Sequence, residues 1–183
     1  MSRLATAPAV TAAPSASQPL LAAVQEKLGS VPNMFRAIAS SPAALAGYLG
    51  LEGALAKDTL GARTRERIAL AVAEVNQCGY CLAAHAYLGK NLAKLDDQEI
   101  ARNRAGGSSD AKADAAVRFA VQVVRARGQV TDADLAAVKA AGFEDGAVIE
   151  IVLQVALNTL TNYVNLVAGT DVDFPRVEAL KAA

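Results

Sequence analysis

The 183-residue sequence predicts an all-α protein, one domain of about eight helices, on three observations. Hydrophobic residues reach 53%, largely through Ala, which suits close-packed helices. Apolar residues recur at helical spacing, as in Tyr48, Leu51 and Leu55 and again in Val117, Val121 and Val124. Helix-starting and helix-stopping residues punctuate the chain at matching intervals.

Taken in order, residues 1–18 are rich in Ala, Pro, Ser and Thr and are expected to form a flexible N-terminal arm. Residues 19–183 are expected to form a single helical domain. Pro19 to Leu28 reads as a helix closed by Gly29. Val31-Pro32-Asn33 reads as a turn, because Pro restricts the residue before it. Met34 and Phe35 after it are expected to dock into the core rather than to contact a substrate. Pro42 opens a helix through about Lys57 at its first turn. Thr59 to Thr64 reads as a link. One helix then carries Glu66 and runs to about Val75, and its partner runs from about Cys78 to Ala93. Lys90 on that partner is expected to be solvated.

Asp96 with Glu99 forms a start resembling a capping box. Gly106-Gly107-Ser108-Ser109 is a loop, and without a preceding strand it is not read as a phosphate cradle. Asp110 to Arg127 forms a helix stopped by Gly128. Thr131 with Asp134 starts another, ended by Gly142. Glu144 or Asp145 opens a last long helix through Ala168, with Gly169 after it. The run Ile149 to Leu157 is nearly all apolar, and its length favours helix over buried strand. Asn158, Asn162 and Asn165 share one face of this helix, as a structural polar stripe or a seam near the thiols or a subunit contact.

Lys plus Arg and Asp plus Glu both total 18, so no net field recruits nucleic acid or anionic membrane. Trp is absent and aromatics are 4%, which disfavours base stacking. Two cysteines in one vicinal pair do not form a secreted disulfide framework. No sequence run reads as a membrane span, and Pro8 and Pro14 interrupt any signal-peptide core. A cytoplasmic protein is expected. The apolar surplus predicts a homo-oligomer.

Residues 66–85 concentrate the chemistry. They hold both cysteines and the only histidine: Cys78, Cys81 and His85, at offsets that share one helical face. A vicinal dithiol needs a base or a positive field to form its thiolate. His85, one turn past Cys81, can serve as that base. A helix break at Asn76-Gln77 and Gly79 would place Cys78 at a helix N-terminus, where the dipole favours a thiolate. In one straight helix Glu66 would lie about 18 Å from Cys78. A bend near Asn76 would fold it back onto His85 and fix the tautomer. The bland alternative pairs Glu66 with Arg63 or Arg67. A structural zinc site and a pair of inert cysteines compete with redox dithiol chemistry, which is preferred because no second Cys/His ligand pair exists. Haem attachment needs His after the second Cys, where Leu82 stands.

The pattern Glu66, twelve residues to Cys78-x-x-Cys81, then His85 four further on, resembles the core of the AhpD-like alkylhydroperoxidases of the carboxymuconolactone decarboxylase superfamily. The likeness extends more weakly from Val31-Pro32-Asn33-Met34-Phe35 to Asp171-Val172-Asp173-Phe174-Pro175, as in peroxidase-related members. The resemblance implies an AhpD-like fold and reduction of organic hydroperoxides: Cys81 attacks, Cys78 resolves to a disulfide, and Glu66 and His85 relay the proton. It implies an external thiol reductant or redox protein, trimers or hexamers, and no bound cofactor. Tyr80 departs from the pattern, standing where well-known members carry a histidine. A helix N-terminus favours Cys78 as the more acidic thiol; proximity to His85 favours Cys81, and Cys81 is preferred. The rivals are a general thiol-disulfide oxidoreductase, an oligomeric redox sensor and a zinc-stabilised module.

Overall fold

Seven consecutive residues, Arg67 to Ala73, are buried, so the helix that carries them is covered on every side. The computed structural model describes residues 2–177. Among them are nine α-helices and no strand: α1 (Gln18–Leu28), α2 (Asn33–Ile38), α3 (Pro42–Leu55), α4 (Gly61–Val75), α5 (Gly79–Asn91), α6 (Asp97–Arg104), α7 (Ala111–Arg125), α8 (Asp132–Ala140) and α9 (Asp145–Ala168). The buried helix is α4, and α5, α6, α7 and α9 pack around it. The main core joins Ile68 and Val72 of α4 to Val117 and Val121 of α7 and Ile151 and Val155 of α9. Burying each such side chain contributes roughly 1.5–3 kcal/mol.

Local chemistry explains most of the ends. Asp96, Asp110 and Thr131 each accept a backbone N–H three residues on, so α6, α7 and α8 begin where the sequence predicts. Thr131 and Asp134 complete a reciprocal capping box. Gly29 and Gly169 close α1 and α9 in the left-handed conformation, at φ 75° and 59°.

Two elements differ from expectation. The segment after Pro32 is not a plain turn: it forms α2, a six-residue helix held against α3 and α9. This is the helix beyond the expected eight. Helix α4 begins at Gly61, inside the segment expected to be a link. Its N-cap, Leu60, offers no side-chain acceptor, so no sequence signal marks that end. Instead Asp58 Oδ1 accepts from the Leu60 and Gly61 N–H groups and from Arg65.

Residues 2–17, expected to be a flexible arm, lie along the body with two single 3-10 turns, Val10–Ala12 and Ser15–Ser17. Arg3 N–H donates to Ala168 C=O at 2.6 Å, Arg36 Nη1 to Pro8 C=O at 2.6 Å, and buried Ser17 Oγ to Ala39 C=O at 2.7 Å. Helix α9, with 24 residues, is long and apolar enough to cross a membrane by length and composition. Yet it buries Gln154, Asn158, Asn162 and Asn165 against the bundle, as a core helix does.

Candidate active site

The α4–α5 hairpin builds the site. Its turn is a Schellman motif: Cys78 N–H donates to Ala73 C=O at 2.9 Å, and Gln77 N–H to Glu74 C=O at 3.0 Å. Gln77 takes the left-handed position at φ 55°, where Gly is the usual occupant. The chain therefore reverses without a glycine at the bend, and Gly79 is simply the first residue of α5. The reversal delivers Cys78 as the N-cap of α5, its Sγ accepting from Cys81 N–H at 3.3 Å. Cys78 and Cys81 are disulfide-bonded, with Cα atoms 5.3 Å apart.

Glu66 comes back onto His85, as the bend in the hairpin predicts. Its Oε2 lies 2.9 Å from His85 Nδ1, and the two side chains are 22% and 21% exposed. A carboxylate at Nδ1 favours the Nδ1–H tautomer, which leaves the Nε2 lone pair free to accept a proton. The rival partners are otherwise engaged or exposed: Arg67 Nε donates to Glu99 at 2.9 Å, and Arg63 faces solvent.

A cavity of about 730 Å³ opens over this hairpin. Cys81, Glu66 and His85 line it, whereas Cys78 does not. Five aromatic rings stand in its walls: Phe35 and Tyr48 meet edge-on at 5.7 Å, and Phe174 packs on Tyr80 at 5.8 Å and on Tyr87 at 5.9 Å. Burial pushes the Tyr48 phenol up, and the Glu52 and Glu66 carboxylates add to it, so Tyr48 stays a neutral hydroxyl. Met34 and Phe35 pack against the core as expected and also line the cavity.

Tyr80, between the cysteines, is buried and held by other elements. Its hydroxyl accepts from Met34 N–H at 3.2 Å and bonds Asp173. Burial pushes this phenol up; the Met34 N–H opposes that, and Asp173 reinforces it, so Tyr80 is no substitute base. It acts as a clamp between α5, α2 and the segment after α9. Asn33 strengthens the clamp, its N–H donating to Asp173 Oδ2 at 2.7 Å and its Nδ2 to Asp171 C=O at 3.0 Å. The two short segments flanking the domain core thus meet at the cavity wall.

The asparagine stripe of α9 lies beside the dithiol. Asn165 Nδ2 donates to Cys81 Sγ at 3.3 Å, and Asn162 Oδ1 accepts from Asn76 Nδ2 at 2.9 Å. Asn158 bonds Gln154 C=O one turn back and lines the cavity. Lys90 is exposed and paired with Asp97 at 2.7 Å. Among the described residues no group of three or more His, Cys, Asp or Glu side chains is placed to hold a metal.

Residues 42–126, which contain the whole hairpin, match the model of the carboxymuconolactone decarboxylase family. The fold agrees. An uncharacterized peroxidase-related protein from Ralstonia eutropha JMP134, described as an alkylhydroperoxidase AhpD core, superposes with a TM-score of 0.82 at 28% identity, covering 94% of this chain and 92% of that one. These matches support an AhpD-like member of the carboxymuconolactone decarboxylase superfamily. An uncharacterized peroxidase-related protein from Silicibacter sp. TM1040 matches this chain with a TM-score of 0.77 at 28% identity, covering 86% of this chain and 85% of that one. The debrominase Bmp8, solved as a cysteine-to-alanine variant in complex with 2,3,4-tribromopyrrole, shares the fold with a TM-score of 0.77 at 16% identity, covering 94% of both chains. No curated protein sequence matches.

Proposed function

We propose that this AhpD-like chain is a thiol-dependent peroxidase for organic hydroperoxides. The observation that carries the reading is the asymmetry of the dithiol: Cys81 lines the ring-walled cavity with the Glu66–His85 pair, and Cys78 stands behind it. In the reduced protein His85 takes the Cys81 thiol proton. The thiolate attacks the terminal, proton-bearing oxygen of ROOH. An S–O bond forms, the O–O bond breaks, and RO⁻ leaves with the proton held by His85. Cys81 is oxidised to the sulfenic acid and the peroxide is reduced to the alcohol. The Cys78 thiol then displaces water from the sulfenic acid and closes the Cys78–Cys81 disulfide. Two external thiols reduce it and leave as their own disulfide.

The apolar walls favour a hydrocarbon-bearing peroxide over hydrogen peroxide. A general thiol-disulfide oxidoreductase must present a sulfur to a protein disulfide. Cys78 and Cys81 are only 1% and 2% exposed, which favours a small substrate entering the cavity. Stopped-flow oxidation of the reduced protein by cumene hydroperoxide and by hydrogen peroxide tests the reading. Faster oxidation by the organic peroxide is expected, with multiple turnovers once a dithiol reductant is supplied. Oxidation that stops after one equivalent under excess reductant would favour a redox sensor.

We also propose a homo-oligomer in the cytoplasm. On the outer face of α9, Ile149, Leu153, Leu160, Tyr163 and Val167 are all exposed at near-heptad spacing, a seam that suits a second copy of the chain. Light scattering at micromolar concentration should give at least a dimer, and a monomer would remove this part of the proposal.

A further inference from the structure

The two cysteines compete for the thiolate. Cys78 is the N-cap of α5, with a backbone N–H on its sulfur and the positive end of the helix dipole beside it. These features favour Cys78, yet Cys81 is the sulfur on the cavity. His85 on the same cavity favours charge on Cys81, and a donor on the sulfur itself would add to it.

The ionisable groups around the cavity come from several elements. From α1 and α3 the cavity presents Lys27, Tyr48 and Glu52; from α4, Arg65 and Glu66; from α5, Tyr80, His85 and Tyr87; and from the segment after α9, Asp173. Arg65 is paired with Asp58, Lys27 with Glu52, and Tyr80 with Met34 and Asp173. On α2, Arg36 is turned to the Pro8 and Val31 carbonyls, and at the end of α4 Glu74 accepts from Arg104. Helix α9 adds no ionisable group to the cavity, but it brings Asn165 to Cys81. Asn165 is 3% exposed, does not line the cavity, and donates Nδ2–H to Cys81 Sγ at 3.3 Å. Its backbone C=O is fixed by Thr170 N–H at 3.1 Å in the closing turn of α9. One turn back, Asn162 ties the same helix to Asn76 at the hairpin bend. The backbone that carries the amide is therefore held in place, and the amide reaches the sulfur from outside the cavity lining, with its Oδ1 buried and left without a hydrogen-bond partner.

We propose that Asn165 is a positioning residue that holds Cys81 as the thiolate, its amide N–H donating to Sγ from outside the cavity lining while peroxide enters through the cavity. A neutral N–H bonds a disulfide sulfur weakly and an anionic sulfur strongly, so the contact favours the reduced, charged state. Because Asn165 carries no charge, it does this without titrating. It also helps Cys81 keep its charge against a helix-capping competitor. The inference rests on the reading of Cys81 as the attacking thiol, and it is tested without peroxide.

The test uses the full chain with Cys78→Ser, which leaves Cys81 as the sole thiol. The rate of alkylation by iodoacetamide is followed from pH 5 to pH 10 (about five units, to bracket the usual thiol range), with Asn165 intact and as Asn165→Ala or Asn165→Asp. Loss of the donor should slow alkylation at neutral pH by about tenfold and move the profile to higher pH, with the same plateau at the alkaline end. Asn165→Asp should move it further, because a carboxylate then faces the thiolate; this near-isosteric variant serves if the alanine variant does not fold. A purely packing role would lower the melting temperature and leave the profile in place, and that result overturns the inference. A profile moved to lower pH also overturns it, since the amide carbonyl would then face a thiol proton. If the wild type fails to consume hydroperoxide while the profile still shifts, the peroxidase reading falls and the role of Asn165 stands.

Discussion

Glu66 and Arg67 are neighbours on α4 and serve opposite kinds of polar cluster. About 100° of helical turn separates them, enough to send one to the cavity and the other into the bundle. Glu66 meets His85 at the cavity wall, where both are about one-fifth exposed. Arg67 meets Glu99, where both are nearly buried. Glu99 accepts from Arg67 Nε, Asn103 Nδ2 and Ser108 Oγ on one oxygen and from Ser109 N–H and Oγ on the other. Burial works against that charge, but the Ser108, Ser109 and Asn103 hydrogen bonds outweigh it and hold the carboxyl well below the usual carboxylate range. A saturated, closed carboxylate is suited to fixing loop and helix positions. One facing an open cavity through a single imidazole is suited to moving a proton. The difference lies in surroundings, since both are glutamates on core helices.

The comparison predicts a ranking of effects. Glu99→Ala leaves the Arg67 charge buried and unpaired, so unfolding should become easier by about 3–5 kcal/mol, read from denaturant melts. Acid should act in the same direction. Because the folded carboxyl lies below its ordinary value of 4.5, the contribution is complete above that pH and is lost as pH falls through the range beneath it. A wild-type stability curve that does not fall faster there than that of Glu99→Ala would break the contrast.

Glu66→Gln should show the reverse pattern. Peroxide oxidation of the thiols should slow by at least about tenfold, some 1.4 kcal/mol in barrier, with little change in melting temperature. An unchanged pH–rate profile would remove Glu66 from the relay and leave His85 alone in it. The smallest effect belongs to the bend that joins the two helices. Gln77→Gly relieves a left-handed non-glycine residue and should stabilise by at most about 1 kcal/mol, with oxidation kinetics unaltered.

The parts of this molecule legible in its sequence are those decided by local chemistry. Asp96, Asp110 and Thr131 mark helix starts because each cap reaches only three residues along the chain. The Glu66–His85 contact is legible because two residues nineteen apart on a hairpin have few ways to miss each other once Asn76 and Gln77 break the helix. What stayed hidden depends on distant partners. Helix α2 has six residues, too short to be stable alone, and exists because α3 and α9 cover it. The start of α4 was missed because its N-terminus is satisfied by Asp58 rather than by its own N-cap. The asparagine spacing on α9 showed a shared face, but only the fold brings Asn165, 84 residues away in sequence, onto Cys81. The same holds for Phe174 and Asp173, whose contacts with Tyr80 close the cavity wall.

The assignment of roles within the dithiol is tested most directly on the Cys78→Ser protein. Reduced protein is mixed with one equivalent of cumene hydroperoxide in the presence of dimedone, and the labelled peptide is sequenced by mass spectrometry. A dimedone adduct on Cys81 is expected, and Cys81→Ser should show neither an adduct nor peroxide consumption. A trappable sulfenate on Cys78 in Cys81→Ser, with Cys78→Ser inert, would contradict the assignment and make the helix-capping cysteine the one that attacks.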